Sequence, residues 1–212
     1  TLQELAKQGA VSVELSPVYP SVTFPNHVSI VTGQYPGNHG IVNNFMKDPD
    51  LPGQTFRLAD RNAVTAPQWW AEATPLWVTL AQQGRLSYTM FWPGAEASIQ
   101  GVRPAKWLAY NHSMTSMQRV EKLLSWLSES STPPTFATLY FSEVDSQGHA
   151  AGPNHGSVND AIQSVDTAIA FLVSELKSRG LWESMSVVIA ADHGMAHVRA
   201  DQVVYGPKLL EG

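Results

Sequence analysis

The chain has 212 residues, 43% of them hydrophobic, long enough to bury a sizeable core as one domain. Its formal net charge is −5 and its Lys and Arg are scattered. That excludes the clustered basic groove a nucleic-acid backbone needs, but leaves small anionic substrates open, because a bound cation can supply positive charge locally. Zero cysteines exclude disulfides and thiolate metal sites, and no apolar run approaches the roughly 18 residues of a membrane span.

Leu2, Leu5 and Ala6 have the spacing of a short amphipathic helix that Gly9 can close, and residues 11–15 read as a strand. Residues 15–46 then hold no Asp, Glu, Lys or Arg. Within them Pro25, favoured in a first turn, predicts a helix beginning around Thr23, continued by Val28, Ile30 and Val31 and ended by Gly33. Residues 48–73 read as an irregular, polar insertion carrying the Trp69-Trp70 pair. Thr74-Pro75 opens the next helix, with Leu76, Trp77 and Leu80 inward. Residues 86–92 are β-like, and 93–112 read as a long loop. Met114, Met117, Val120, Leu123, Leu124 and Leu127 have helical spacing, and 128–134 read as a surface linker. Residues 136–141 form a strand leading into Asp145. A long helix follows from Ala161 through Ile169 to Leu176, and residues 186–191 read as a buried strand leading into Asp192. Strand–helix alternation of this kind predicts an α/β fold, a mainly parallel sheet flanked by helices on both faces, with no internal repeat and no second domain.

In such a sheet, sites form beyond the carboxyl ends of the strands. Two acidic–histidine pairs occupy such places: Asp145-Ser146-Gln147-Gly148-His149 and Asp192-His193-Gly194-Met195. Carboxylate oxygen and imidazole nitrogen suit a zinc or manganese ion of a hydrolytic centre. The Asp145–His149 spacing would let a loop fold both side chains onto one ion, with Gly148 permitting the bend; a turn through Gly194 would aim Asp192 and His193 at another. Two ions roughly 4 Å apart can clamp the attacking and leaving oxygens of a phosphoryl transfer. Thr23, at a helix N-terminus, would be the attacking group. Each residue also has an ordinary reading. An isolated Asp or His at a strand end is commonly a turn or cap residue, and a Thr before a Pro-opened helix is commonly its N-cap. His39, His112, His155 and His197 read as polar or turn histidines, with His155 placed to be an incidental extra ligand.

The motifs Thr23-Phe24-Pro25-Asn26-His27, Thr32-Gly33, His39-Gly40-Ile41, Phe91-Trp92-Pro93-Gly94, Asp145-Ser146-Gln147-Gly148-His149 and Asp192-His193-Gly194-Met195, in that order, resemble the nucleotide pyrophosphatase/phosphodiesterase family of the alkaline phosphatase superfamily. The resemblance implies an alkaline phosphatase-like core and a two-zinc site. Asp145 and His149 would hold one zinc, and Thr23, Asp192 and His193 the other, with manganese or another divalent ion as an alternative. Thr23 would form a covalent nucleotidyl intermediate that water hydrolyses. Asn44 falls where an amide steadies a non-bridging phosphate oxygen, and Phe24 and Tyr110 resemble the aromatic pair that sandwiches the nucleobase. The family's first metal-ligand Asp precedes Thr1 and a further ligand His follows Gly212, so residues 1–212 are expected to be a partial catalytic domain, incomplete at both ends and weak or inactive alone. The resemblance favours a periplasmic or secreted location and a small nucleotide or phosphodiester substrate. Two other readings share these residues: a phosphodiesterase of lipid or choline esters (or a phosphonate hydrolase), and a non-catalytic member of the superfamily.

The uncharged stretch around Thr23 favours a diester. A monoester carries an extra negative charge that enzymes often meet with an Arg clamp, whereas Asn44 is neutral and Lys47 is the nearest cation beyond it in sequence.

Overall fold

The structure is a computed structural model that describes residues 1–129 and 132–203; residues 130–131 of the expected linker and residues 204–212 lie outside it. The central feature is a three-stranded parallel sheet in the order β4 (Lys106–Trp107), β3 (Ser87–Met90), β5 (Phe136–Leu139). Tyr88 and Thr89 pair with Lys106 and Trp107 on one side, and Ser87 through Met90 pair with Phe136 through Leu139 on the other. β3 is buried along its whole length, as a central parallel strand should be. A two-stranded antiparallel ribbon, β1 (Phe45–Met46) with β2 (Phe56–Arg57), lies apart from it.

Alternation along the strands builds two cores. Tyr88 and Met90 of β3 pack with Leu123 and Trp126 of α6 (Ser116–Glu129) and with Ala137 and Leu139. Phe136, pointing the other way, packs against a cluster that includes Val28 and Val31 of α2 (Thr23–Thr32) and Trp77 and Val78 of α5 (Leu76–Gln82). Helices therefore cover both faces, as expected. α7 (Glu143–Ala151) and α6 both pack on the long α8 (Gly156–Ser178), where Val120, Leu124, Ala168 and Leu176 close a third cluster. The short helices α1 (Leu2–Gln8), α3 (Pro36–His39) and α4 (Arg61–Thr65) complete the set.

Four expectations are corrected. Residues 11–15 and 186–191 are not strands. Val11, Val13, Leu15, Val187, Val188 and Ile189 are exposed. An apolar, β-prone run becomes a strand only where a neighbour presents unpaired N–H and C=O groups in register, and among the described residues neither run joins a ladder. The stretch 48–73 is not a polar insertion. It contributes β2, α4 and a 3₁₀ turn (Pro67–Trp70), and Phe56, Trp69 and Trp70 lie in the core with Phe56 edge-on to both indoles at 5.6 and 6.0 Å. Its few large aromatics bury much area without a period that reads as apolar. Trp70 Nε1 donates to Val64 O (3.1 Å), and the Trp70 ring comes within 2.9 Å of where a Cβ on Gly94 (φ +88°) would stand. Finally, the expected loop 93–112 contains the edge strand β4.

The helix α3 carries a pH-sensitive contact. His39 is fully buried; its Nδ1 accepts the Ile41 N–H (3.2 Å), so Nε2 carries the proton and donates to Ser29 Oγ (3.0 Å). Burial holds its pKa below the usual histidine value. The unfolded chain therefore binds more protons than the folded one as pH falls below about 6.5, and stability falls with it. Replacing His39 with Gln should flatten the slope of melting temperature against pH between about 7 and 5. A slope identical to that of the unmodified protein would remove His39 from the account.

Candidate active site

The N-terminus of α2 is set by its own sequence. Val22 is extended at the N-cap and Thr23 is the first helical residue, so the Thr23 hydroxyl is not used as a cap. Asn26, buried one turn in, is fully engaged: Oδ1 accepts the Val18 N–H (2.8 Å), and Nδ2 donates to Pro20 O (3.2 Å) and Val22 O (2.9 Å). These bonds, each worth about 1 kcal/mol, tie the chain before Thr23 to the helix and fix where its hydroxyl points. That direction is toward His193, whose Nε2 lies 3.4 Å from Thr23 Oγ1.

His193 meets Thr23, and Asp192 meets His193. Asp192 Oδ1 accepts the His193 N–H (3.0 Å), and Oδ2 lies 3.3 Å from His193 Nε2. His193 Nδ1 is 2.9 Å from Gly194 O, and a carbonyl only accepts, so Nδ1 carries the proton and Nε2 presents a lone pair. A carboxylate oxygen, an imidazole lone pair and a hydroxyl thus face one another. The hydroxyl can donate to Nε2, and oxygen and nitrogen ligands of this kind would suit a divalent ion of the zinc type.

The second pair is placed differently from expectation. Asp145 and His149 do not lie on a loop; they sit one turn apart on α7, with His149 Nε2 3.4 Å from Asp145 Oδ1. The four-residue spacing is that of one helix face, which brings the side chains together without a bend. Gly148 is helical, and a Cβ there would crowd Met195 Sδ. Among the described residues, no three Asp, Glu or His side chains meet at a single metal-holding point. His155, considered as an extra ligand, is instead the N-cap of α8, its Nδ1 accepting the Ser157 N–H (3.2 Å).

Asn44 reaches the start of α2. Its Oδ1 accepts the Phe24 N–H (2.8 Å), and among the described residues its Nδ2 makes no hydrogen bond. Phe24 is half-buried, edge-on to Phe56 at 5.7 Å. Tyr110 is partly exposed; its backbone N–H donates to Glu96 (3.0 Å), its ring meets Phe91 edge-on at 5.3 Å, and its hydroxyl donates to Ser142 Oγ (3.3 Å). Phe91 has φ +60°, a conformation that costs a bulky residue on the order of 1–3 kcal/mol and tends to cluster at functional sites.

Three neighbours went unread in the sequence. His27 is buried beneath the site; its Nδ1 donates to Thr23 O (2.8 Å) and lies 3.3 Å from Asp192 Oδ2. Burial lowers its pKa from the ordinary histidine value, against the Asp192 charge, which favours the protonated ring. It packs edge-on between Trp92 (4.8 Å) and Tyr140 (5.0 Å), and Trp92 Nε1 donates to His27 O (3.1 Å). The Tyr140 hydroxyl is pushed up from its ordinary pKa by burial first, then by the charges of Asp192 and Asp145. Tyr140 therefore senses both acidic–histidine pairs. His27 and Trp92 belong to the recognised motifs, but nothing in their spacing says which atoms they contact.

Compared with known proteins, residues 1–211 match the family described as type I phosphodiesterase / nucleotide pyrophosphatase. The chain is 40% identical over 204 residues to the bis(5'-adenosyl)-triphosphatase enpp4 of Xenopus laevis, covering 96% of this chain and 44% of that protein. To human ectonucleotide pyrophosphatase/phosphodiesterase family member 1 it is 38% identical over 210 residues, covering 99% of this chain and 22% of that one. Among solved structures, murine ectonucleotide pyrophosphatase/phosphodiesterase 5, in an inactive Thr-to-Ala form in complex with AMP, superimposes with a TM-score of 0.74 at 35% identity, over 80% of this chain and 44% of that one. The chain thus spans less than half the length of these relatives.

Proposed function

This chain belongs to the type I phosphodiesterase / nucleotide pyrophosphatase family, and we propose that the protein hydrolyses phosphodiester or pyrophosphate bonds of nucleotides with Thr23 as nucleophile. The observation that carries this reading is the Thr23 hydroxyl at the first residue of α2, 3.4 Å from His193 Nε2 and backed by Asp192. The helix N-terminus favours negative charge on Thr23 Oγ1. Thr23, Asp192 and His193 would hold one divalent cation and Asp145 and His149 another, and such cations supply positive charge that lowers the hydroxyl pKa and neutralises developing phosphate charge.

Thr23 Oγ1 forms a bond to phosphorus as the bond to the leaving oxygen breaks; water then cleaves the Thr23–phosphorus bond and releases the nucleotide. Asn44 Nδ2 donates to a non-bridging phosphate oxygen, and Phe24 and Tyr110 flank the base. The inactive Thr-to-Ala relative bound to AMP supports both the nucleophile type and the nucleotide class.

A diester preference follows from the neutral donor. Among the described residues, no Lys or Arg forms a hydrogen bond or ion pair with Thr23, Asn44, Asp192 or His193. The full-length protein with zinc should cleave a nitrophenyl nucleotide diester well ahead of nitrophenyl phosphate. Asn44→Ala should lower kcat on the diester by about 10²-fold, the scale of losing one oxyanion donor. Monoester turnover at or above the diester rate would sink the diester reading, and an unchanged kcat in Asn44→Ala would sink the role of Asn44.

A further inference from the structure

Arg119 of α6 is 1% exposed and, among the described residues, has no carboxylate within ion-pairing distance. A buried guanidinium is expensive unless its donors are used. Here Nε donates to Met114 O (3.0 Å), Nη1 to Tyr140 O (2.9 Å) and Nη2 to Ser142 Oγ (3.3 Å). Its charge faces two rings: the guanidinium carbon lies 5.1 Å from the Phe91 centroid and 5.9 Å from that of Tyr110. Those rings meet each other edge-on, and Tyr110 donates to the same Ser142 hydroxyl. One cation therefore stands behind Tyr110, shares its hydrogen-bond partner, holds the left-handed Phe91 against it and grips the end of β5 that leads into α7.

We propose that Arg119 is a positioning residue for nucleotide recognition, setting the plane of the Tyr110 ring from behind so that its opposite face is presented to the base. The inference rests on the reading of Tyr110 as a base-stacking residue. Tyr110 is on a partly exposed stretch with few tertiary anchors; Glu96 holds its backbone, while Arg119 and Ser142 hold its ring and hydroxyl. Without them the ring keeps its chemistry but must be ordered at the moment of binding. That cost falls on KM for substrates with a base, and leaves the bond-breaking step at Thr23 alone.

The test measures kcat and KM of the full-length zinc-loaded protein on a nitrophenyl nucleotide and on bis(nitrophenyl) phosphate, which has no base. Arg119→Met should raise KM for the nucleotide about 3- to 10-fold, the range of a desolvated cation–π contact, with kcat and the base-free diester changed less than about twofold. Arg119→Lys, which keeps the charge but not the three-way bonding, should fall between. Ser142→Ala serves where Arg119→Met does not fold, because the Ser142 side chain makes no cap bond to α7; it should raise the nucleotide KM alone, by a few-fold. Equal losses on both substrates, or an unchanged nucleotide KM, would overturn the positioning role. Tyr110→Ala separates the two failures. If it leaves the nucleotide KM unchanged, the base-stacking reading has failed; if it raises KM while Arg119→Met and Ser142→Ala do not, only the role of Arg119 has failed.

Discussion

Replacing Thr23 with Ala in the full-length protein should lower kcat on a nitrophenyl nucleotide by on the order of 10⁴-fold or more, while AMP still binds. The size follows from the kind of residue: loss of the attacking atom removes the covalent route, and what survives comes from binding and charge stabilisation. The specificity follows from the structure. Thr23 is not the N-cap of α2, and among the described residues its hydroxyl has one hydrogen-bond partner, His193 Nε2, so its removal should leave the helix and the Asn26 bonds intact. Phe24 and Asn44, the residues proposed to contact the nucleotide, keep their own contacts. Turnover within about tenfold of the unmodified protein would assign the attacking role elsewhere. Loss of AMP binding together with activity would mean that Thr23 binds substrate and leave its chemistry unproven.

Asp192→Asn should be nearly as damaging, for a different reason. Asp192 is the hub of the cluster: Oδ1 accepts the His193 N–H, and Oδ2 is 3.3 Å from both His193 Nε2 and His27 Nδ1. The amide keeps the size and loses the charge that offsets a cation. Outer-shell changes around metals commonly cost 10–100-fold, so loss of a direct ligand should cost about 10²-fold or more in turnover, with zinc content after dialysis falling in parallel. The side chain is partly exposed and the segment carries no sheet ladder, so the melting temperature of the metal-free protein should change little. Retained zinc and retained activity together would remove Asp192 from the ligand set. Unlike Thr23→Ala, this variant should regain some rate at raised zinc concentration, and that contrast separates a ligand from a nucleophile.

The chemistry of the site was legible in the sequence because it depends on residue type and short spacing. Thr23 at a helix start, two Asp–His pairs and the charge-free stretch 15–46 single out the candidate residues without any tertiary information. The strongly periodic helices were equally legible: the spacings around Val120 and Ile169 became α6 and α8. Placement was another matter. Asp145 and His149 share a helix face because a four-residue spacing suits a helix better than a loop, yet the preceding apolar strand masks that reading.

Other features arise only from contacts between distant segments. Residues 11–15 and 186–191 have strand-like composition, but strand formation is a property of a pair of segments, and among the described residues neither finds a partner in register. Trp69 and Trp70 look like surface aromatics in a polar stretch until Phe56, Phe24 and Gly94 close around them. A Cβ on Gly148 would crowd Met195, 47 positions away in sequence. Arg119 reads as one charge on an amphipathic helix, and only the fold turns it inward onto Tyr140, Ser142, Phe91 and Tyr110. Local sequence thus determined which groups could do the chemistry and which stretches could be helices. Burial, strand partnership and the bracing of one side chain by another depend on segments far apart in the chain, so the tertiary structure alone decided them.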